Sequence, residues 1–207
     1  ASLLLDPANV DIRVSHKLGK KLWQNLELES GDCDIGLHTG IGFDFHSAMP
    51  LEYLFLSSPT FGEALQICEP YVRLVSDGLT IHHQQESSVA TMLFSYDFGD
   101  KDGLRHLNEM TSAAFLRFFR FVTAQRFNAV AIGFQHEAPK HITEHERVFN
   151  CDSSFSQPEN FISFESKLLD LPCPLPQPQV SLAHVEVVNK QMDQLLELDF
   201  LTSIKEV

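Results

Sequence analysis

The sequence has no long hydrophobic run, no closely spaced cysteine pair and no excess of positive charge. No apolar stretch approaches the roughly 20 residues of a membrane-spanning helix, so we expect no contact with a membrane. Its 15 Lys and Arg stand against 28 Asp and Glu, a net charge of −13 that would repel the phosphate backbone of nucleic acid. The four cysteines lie far apart and no leader segment opens the chain, which predicts a reduced, cytoplasmic protein.

Catalytic motifs are also missing. The sequence contains no Gly-x-Ser-x-Gly elbow, no phosphate-binding glycine loop and no Cys-x-x-Cys pair. We therefore predict that the chain is not an enzyme and needs no cofactor.

Helices are predicted at the start and in the middle of the chain. From Asn9, apolar residues recur every fourth position until about Gly31, which indicates an amphipathic helix. Thr60 and Glu63 have the spacing of a capping box, so a helix should begin there. Over residues 106–123, an apolar and strongly aromatic stripe predicts a second amphipathic helix.

Strands are predicted between and after these helices. Residues 79–84 and 89–96 should form an antiparallel hairpin, and residues 161–165 a further short strand. In residues 128–134, large and small side chains alternate, and we expect a helix to pack on the small face. The predicted fold class is α+β: an antiparallel sheet with packed helices, a helical N-terminus and a C-terminal helix.

A proline-rich segment divides the chain. It predicts a regulatory domain over residues 1–171, a stiff linker over residues 172–180 and a terminal helix over residues 181–207. Four apolar residues of this helix have the 3-4-3 spacing of a coiled-coil seam: Val185, Val188, Met192 and Leu195. They predict pairing with a second copy of the chain, with packing on the chain's own domain as the alternative.

One ten-residue stretch and the motifs after it carry a family resemblance. Residues 56–65 read Leu-Ser-Ser-Pro-Thr-Phe-Gly-Glu-Ala-Leu, and they are followed by Tyr71, Ser76-Asp77-Gly78, Glu109, Phe134, His136 and Pro139. In this order they resemble the large N-terminal domain of AraC-type bacterial transcription regulators, in the group named for arabinose- and ornithine-type sensing. Three positions depart from that pattern: Asn150 stands where the family usually has glycine, His145 near a usual aromatic position, and Pro70 is atypical in the helix that begins at Thr60.

The resemblance implies a domain that binds a small organic effector, forms a homodimer and controls transcription. In the family, two helix-turn-helix units follow the final helix, whereas this chain stops at Val207. We therefore expect any contact with DNA to be made only through that missing part.

An aromatic cavity is the predicted effector site. Seventeen phenylalanines stand against three tyrosines and one tryptophan, and ligand pockets are mostly apolar with a few polar groups, although such phenylalanines also form ordinary cores. The effector should be apolar or amphipathic, and an arginine at the mouth would anchor an acidic one such as a fatty acid. The predicted ligand-binding residues are Tyr71, Arg73, Arg105, His106, Phe115, Phe118, Phe134 and His136.

Two other functions remain open from the sequence. One is a metal- or redox-responsive sensor that uses Cys151 or His136, His141 and His145, of which the last two would share one helix face. Because Pro139 interrupts this stretch and no His-Glu-x-x-His motif occurs, we predict no metal. The other is a dimerisation module that binds no ligand.

Overall fold

The fold is described by a computed structural model for residues 16–43, 49–76, 78–97 and 104–205. The predicted helix start at Asn9 lies outside the described residues. The α-helices within these ranges are α1 (His16–Ser30), α2 (Ile35–Gly42), α3 (Met49–Ser57), α4 (Phe61–Cys68), α5 (Arg105–Val122), α6 (Thr143–Phe149) and α7 (Pro178–Lys205). Two 3-10 helices, Glu69–Leu74 and Ser166–Asp170, follow α4 and the last strand. Within these ranges, no helix combines the length and the apolarity needed to cross a membrane.

The helix boundaries follow local signals in the sequence. The predicted capping box is confirmed, because the Thr60 hydroxyl accepts a hydrogen bond of 3.2 Å from the Glu63 backbone amide. Pro70 lies in the first turn of the 3-10 helix that ends α4. Asn150 ends α6 at a φ of 53°, a left-handed conformation that glycine adopts most easily and asparagine tolerates.

Five strands form one sheet in the described part of the chain: β1 (Leu79–Glu86), β2 (Val89–Tyr96), β3 (Ala129–Gly133), β4 (Asp152–Ser154) and β5 (Asn160–Glu165). Their order is β1-β2-β5-β3-β4, and every neighbouring pair is antiparallel except β3 and β4. The predicted hairpin and the α+β class are confirmed. The hairpin turn consists of two residues, because Glu86 pairs directly with Val89.

The predicted helix on the small face of β3 is wrong. The ring of Phe161 occupies that face, and a Cβ added at Gly133 would lie 2.0 Å from it. Helix α5 instead packs on the opposite face of the sheet, where the rings of Phe94 and Phe115 meet with centroids 6.1 Å apart. A bulge between Ala129 and Ala131 divides the bulky residues of β3, so Ile132 is fully buried whereas Val130 is 46% exposed. A glycine at position 133 therefore makes room for a neighbouring strand residue and not for a helix.

The core lies between this opposite face of the sheet and the helices. Its largest fully buried aromatic side chains are Phe61, Phe94, Phe119, Phe127, Phe134, Phe149 and Phe164. Helix α2 covers α5 at close range, because a Cβ at Gly36 or Gly40 would lie 2.4 Å from a backbone oxygen of α5.

The terminal segment packs on the domain that precedes it. The amides of Leu175 and Gln177 donate to carbonyl groups at the end of α3, both at 3.1 Å. In α7, Val188 is fully buried and Leu195 is 6% exposed, whereas Met192 is only partly buried. Val188 and Leu195 are thus occupied within the chain, so the expected four-residue seam is not a free surface.

Candidate functional site

An apolar cavity of about 160 Å³ lies between α3, α4, the first 3-10 helix, the β1–β2 hairpin and α5. Most of its wall consists of aliphatic and aromatic side chains. The described lining residues are Phe43, Leu51, Glu52, Phe55, Leu65, Cys68, Glu69, Val72, Val75, Leu79, Ile81, Met92, Tyr96, Met110, Thr111, Ala114, Phe115, Phe118 and Phe119.

The aromatic stripe of α5 forms one wall of this cavity. Phe115 and Phe119 lie one turn apart and stack with ring centroids 5.7 Å apart. Phe118 meets Phe55 of α3 edge to face at 5.0 Å. Ala114, on the same side of α5, is the smallest lining residue, and its short side chain leaves space between the larger ones.

A few polar groups interrupt the apolar wall. Glu52 of α3 is 8% exposed. The hydroxyl groups of Tyr96 and Thr111 form a hydrogen bond of 2.7 Å, and burial raises the pKa of Tyr96 to about 12. At neutral pH these hydroxyls are therefore uncharged, and they offer hydrogen bonding without charge.

A second carboxylate, Glu69, stands at the edge strand β1. Its two oxygens lie 3.0 Å from Nδ1 of His82 and 2.8 Å from Nδ1 of His83. Burial alone would raise the pKa of Glu69, but the hydrogen bonds with the two histidines lower it overall. None of the described lining residues is Lys, Arg or His, and the two carboxylic acids among them are Glu52 and Glu69.

The predicted ligand-binding residues separate into three places. Phe115 and Phe118 line the cavity. Tyr71 lies on the first 3-10 helix and donates a hydrogen bond of 2.8 Å to Oδ1 of Asn189 in α7. Arg73 lies on the same 3-10 helix but is not among the described lining residues.

The remaining four predicted residues surround Glu109, which is fully buried in α5. Arg105 Nε donates to Glu109 Oε1 at 2.8 Å, and His145 Nε2 lies 2.9 Å from the same oxygen. His106 Nδ1 and His136 Nε2 lie 3.6 and 3.8 Å from the carboxylate. Phe134 packs against the ring of His136, with centroids 5.0 Å apart. We call Arg105, His106, Glu109, His136 and His145 the charged junction.

The pKa shifts in the charged junction indicate which of its groups carry a charge. Burial would raise the pKa of Glu109, but hydrogen bonds with His106 and His145 and the charge of Arg105 hold it well below its usual range. Burial would lower the pKa of His106, but hydrogen bonding to Glu109 raises it overall. The pKa of His136 is lowered by burial. Glu109 is thus an anion at neutral pH, and Arg105 compensates its charge.

The charged junction also connects helices. Arg105 Nη2 donates to the Cys33 carbonyl at 3.0 Å and to Asp34 Oδ1 at 3.2 Å, both just before α2. His106 Nε2 lies 3.1 Å from Glu27 Oε2 in α1. Since His145 belongs to α6, one buried carboxylate joins four helices, and this geometry is that of a structural contact.

The histidines proposed for a metal do not share a helix face. Helix α6 begins at Thr143, so His141 lies before it and is exposed, whereas His145 is fully buried. That expectation is wrong. Within the described ranges, no group of three or more His, Cys, Asp or Glu side chains is arranged to hold a metal ion. Cys151 is partly buried, and burial raises the pKa of its thiol to about 11, which disfavours the reactive thiolate.

Sequence reasoning missed the two buried carboxylates. Glu109 carries a local signal, since it lies four positions after Arg105 and three after His106 on the same helix face. Glu52 lies in the apolar segment of α3, and nothing in the neighbouring sequence distinguishes it from a glutamate on the surface. His145, which departs from the family resemblance, still places a ring in the core. Its centroid lies 5.4 Å from that of the Phe155 ring.

Comparisons with known proteins agree with this architecture. A family model described as the N-terminal arabinose-binding domain of AraC transcription regulators matches residues 2–173. The ornithine utilization regulator of Pseudomonas aeruginosa is 24% identical over 166 residues, which cover 80% of this chain and 48% of that protein. The crystal structure of the transcriptional regulator CdpR from Pseudomonas aeruginosa has a similar fold, with a TM-score of 0.66 and 15% identity. That match covers 83% of this chain and 56% of CdpR, so the chain spans about half the length of both relatives.

Proposed function

The chain belongs to the family of N-terminal arabinose-binding domains of AraC transcription regulators, and we propose that it senses a small organic effector in the cavity beside α5. In the whole protein, a DNA-binding part would follow α7, and the regulator would act in the cytoplasm. The observation that carries this proposal is the apolar cavity itself, together with the contacts that two of its lining elements, α3 and the first 3-10 helix, make with α7. We propose no catalysis, because the described cavity wall has no nucleophile paired with a base.

The size of the cavity limits the effector. Cavities of about 150 Å³ lined by aliphatic and aromatic side chains hold molecules of the size of benzene. At about 160 Å³, this cavity fits an effector with a ring or a short branched chain as its apolar body. Because the cavity is open on one side, a larger effector would extend out of it.

The polarity of the cavity limits the effector further. Sugars such as arabinose carry many hydroxyl groups, each of which needs a hydrogen-bond partner once it is buried. The described wall offers only Glu52, Glu69, Tyr96 and Thr111. None of the described lining residues offers a cationic partner for the carboxylate of a fatty acid. We therefore propose a neutral or cationic effector with an apolar body. We do not propose arabinose or ornithine as the effector of this chain.

Two short elements connect the cavity with α7. In α3, Phe55 lines the cavity, while the neighbouring Tyr53 stacks on the ring of His184 in α7, with centroids 5.7 Å apart. In the first 3-10 helix, Val72 lines the cavity, while Tyr71 binds Asn189. An effector that moves these elements would therefore shift α7. A tenfold change in the DNA-binding equilibrium needs a difference of about 1.4 kcal/mol between the two states.

Thermal unfolding with a series of small molecules tests the effector site. Indole, benzylamine, benzoate, arabinose and ornithine cover the neutral, cationic, anionic and polar classes, and a molecule that binds only the folded chain raises its Tm. Ala114→Phe fills the cavity and should abolish the increase caused by indole or benzylamine, whereas the same substitution at the exposed Ala183 should preserve it. If the Ala114→Phe variant keeps the full Tm increase with these two compounds, the cavity is not the effector site.

Hydrogen exchange tests the connection to α7. A ligand that raises the Tm should change amide exchange in α7, and Tyr71→Phe should reduce this change because it removes the hydrogen bond to Asn189. Exchange in α6, which does not line the cavity, serves as the internal control. An α7 exchange rate that is the same with and without ligand would contradict the proposed route.

We also propose that the regulator forms a homodimer through α7. Leu182 and Leu196 are 67% and 48% exposed, and with Asn189 between them they occupy every seventh position. The partly buried Val185 and Met192 fall at the intervening heptad positions, so a paired helix would bury all five. Leu182→Glu should halve the mass measured by light scattering, whereas Leu175→Glu, at an exposed leucine outside α7, should not. An unchanged mass for Leu182→Glu would exclude this surface.

A further inference from the structure

A groove with three arginines lies on the side of α5 opposite to the effector cavity. It runs between the second half of α5 and α6, has a volume of about 390 Å³ and shares no described lining residue with the cavity. Arg117, Arg120 and Arg147 line it together with Gln125. The groove is therefore a second site, and a proposal about it does not rest on the proposed effector site.

The charge of this groove contrasts with that of the whole chain. Acidic residues outnumber basic ones by 28 to 15, yet none of the described lining residues is Asp or Glu. Arg117 and Arg120 lie three positions apart, so they share one side of α5. The Ile41 carbonyl accepts a hydrogen bond of 2.8 Å from Arg117 Nη1, which holds this side chain at the wall. Arg147 comes from the last turn of α6 and binds Glu144.

Arg120 lacks a compensating anion in the described part of the chain. Its guanidinium group forms no hydrogen bond or ion pair with any described residue, and burial lowers its pKa. Its position in the last turn of α5 favours a cation through the helix dipole. Arg120 is only partly buried, so its guanidinium group remains accessible to a molecule in the groove, and no described residue uses its hydrogen-bond donors. An anion in the groove would supply the missing partner.

The floor of the groove is apolar. Leu116 and Val148 are 1% and 8% exposed, and both line it below the arginines. We propose that this groove binds a small organic oxyanion: a carboxylate or phosphate group on an apolar body. The oxyanion would accept hydrogen bonds from the planar guanidinium groups, whose paired donors match such oxygens. The apolar body would cover Leu116 and Val148.

Isothermal titration calorimetry at constant ionic strength tests the proposal. Benzoate and phenyl phosphate carry the two oxyanions on the same ring, benzyl alcohol is their neutral counterpart, and inorganic phosphate lacks the apolar body. We expect at least one of the two aromatic anions to bind at least tenfold more tightly than benzyl alcohol and inorganic phosphate. Equal affinities for all four compounds, or no binding of either aromatic anion, would overturn the proposal.

Three variants locate the binding. Arg120→Met keeps an unbranched apolar side chain but removes the guanidinium group, and it should weaken anion binding at least tenfold, whereas the same change at the exposed Arg126, outside the groove, should not. Gln125→Glu is isosteric and should weaken binding by repulsion even if Arg120→Met folds poorly. Ala114→Phe blocks only the effector cavity and should leave anion binding unchanged. If Ala114→Phe loses anion binding, or if Gln125→Glu binds the anion as tightly as the parent chain, the anion binds elsewhere and the proposal is overturned.

Discussion

The substitution Glu109→Gln tests whether the charged junction holds the helices together. The change keeps the size of the side chain but removes the carboxylate that Arg105 Nε and His145 Nε2 contact, at 2.8 and 2.9 Å. Glu109 is fully buried, but Arg105 is partly exposed and keeps its ion pair with Asp34, so we expect a loss of about 2–3 kcal/mol, below that of a fully buried pair. Since domains unfold with about 5–15 kcal/mol, the loss should be a large fraction of the stability.

Urea unfolding near neutral pH measures this loss, and its dependence on acid checks the cause. The pKa of Glu109 in the folded chain lies below its ordinary value of 4.5, so its stabilisation is present above that value and is lost as the pH falls toward the folded pKa. The parent chain should therefore lose more stability than Glu109→Gln between about pH 7 and about pH 3. The control Glu146→Gln, at an exposed glutamate of α6, should change stability by less than about 0.5 kcal/mol. A loss below about 1 kcal/mol for Glu109→Gln would refute the argument.

Three further substitutions test other contacts by urea unfolding. Gly40→Ala places a Cβ 2.4 Å from the Met110 carbonyl oxygen and should cost about 1–3 kcal/mol by separating α2 from α5; an unchanged stability would contradict this close approach. Thr60→Ala removes the cap of α4 and should cost about 1 kcal/mol, most of which Thr60→Ser should restore. Hydrogen bonding to Asp32 raises the pKa of His38 above 6.5, so its stabilisation is present below that value and is lost as the pH rises through the folded pKa. His38→Gln should therefore lose less stability than the parent chain between about pH 6 and about pH 9, and identical pH profiles would exclude this contribution.

The three placements of the predicted ligand-binding residues show where sequence reasoning stops. Phe115 and Arg105 belong to one helix, and both were predicted as ligand-binding residues. The pattern did not indicate that Phe115 faces the cavity while Arg105 faces a buried carboxylate. Which neighbour a helix face meets depends on the packing of α2, α3 and α6 around α5, and these elements are distant in sequence.

The charge of the cavity could not be predicted for the same reason. An arginine was expected at the mouth, but Arg73 and Arg105 are not among its described lining residues, while the carboxylates of Glu52 and Glu69 are. A single acidic residue within an apolar segment gives no periodic signal. The burial of Glu52 results from the packing of α3 within the domain, which only the folded chain defines.

The sequence alone determined the local elements: the capping box at Thr60, the hairpin of β1 and β2, and the aromatic helix α5. These depend on neighbouring residues, through side-chain capping, alternation and helical spacing. The tertiary structure decided that Val188 and Leu195 pack on their own domain, that α5 covers the face of the sheet that carries Phe94, and that an apolar cavity and a basic groove lie on opposite sides of α5. The physical reason is that an apolar stripe is satisfied by any apolar partner, so its partner is chosen only when all the elements pack together.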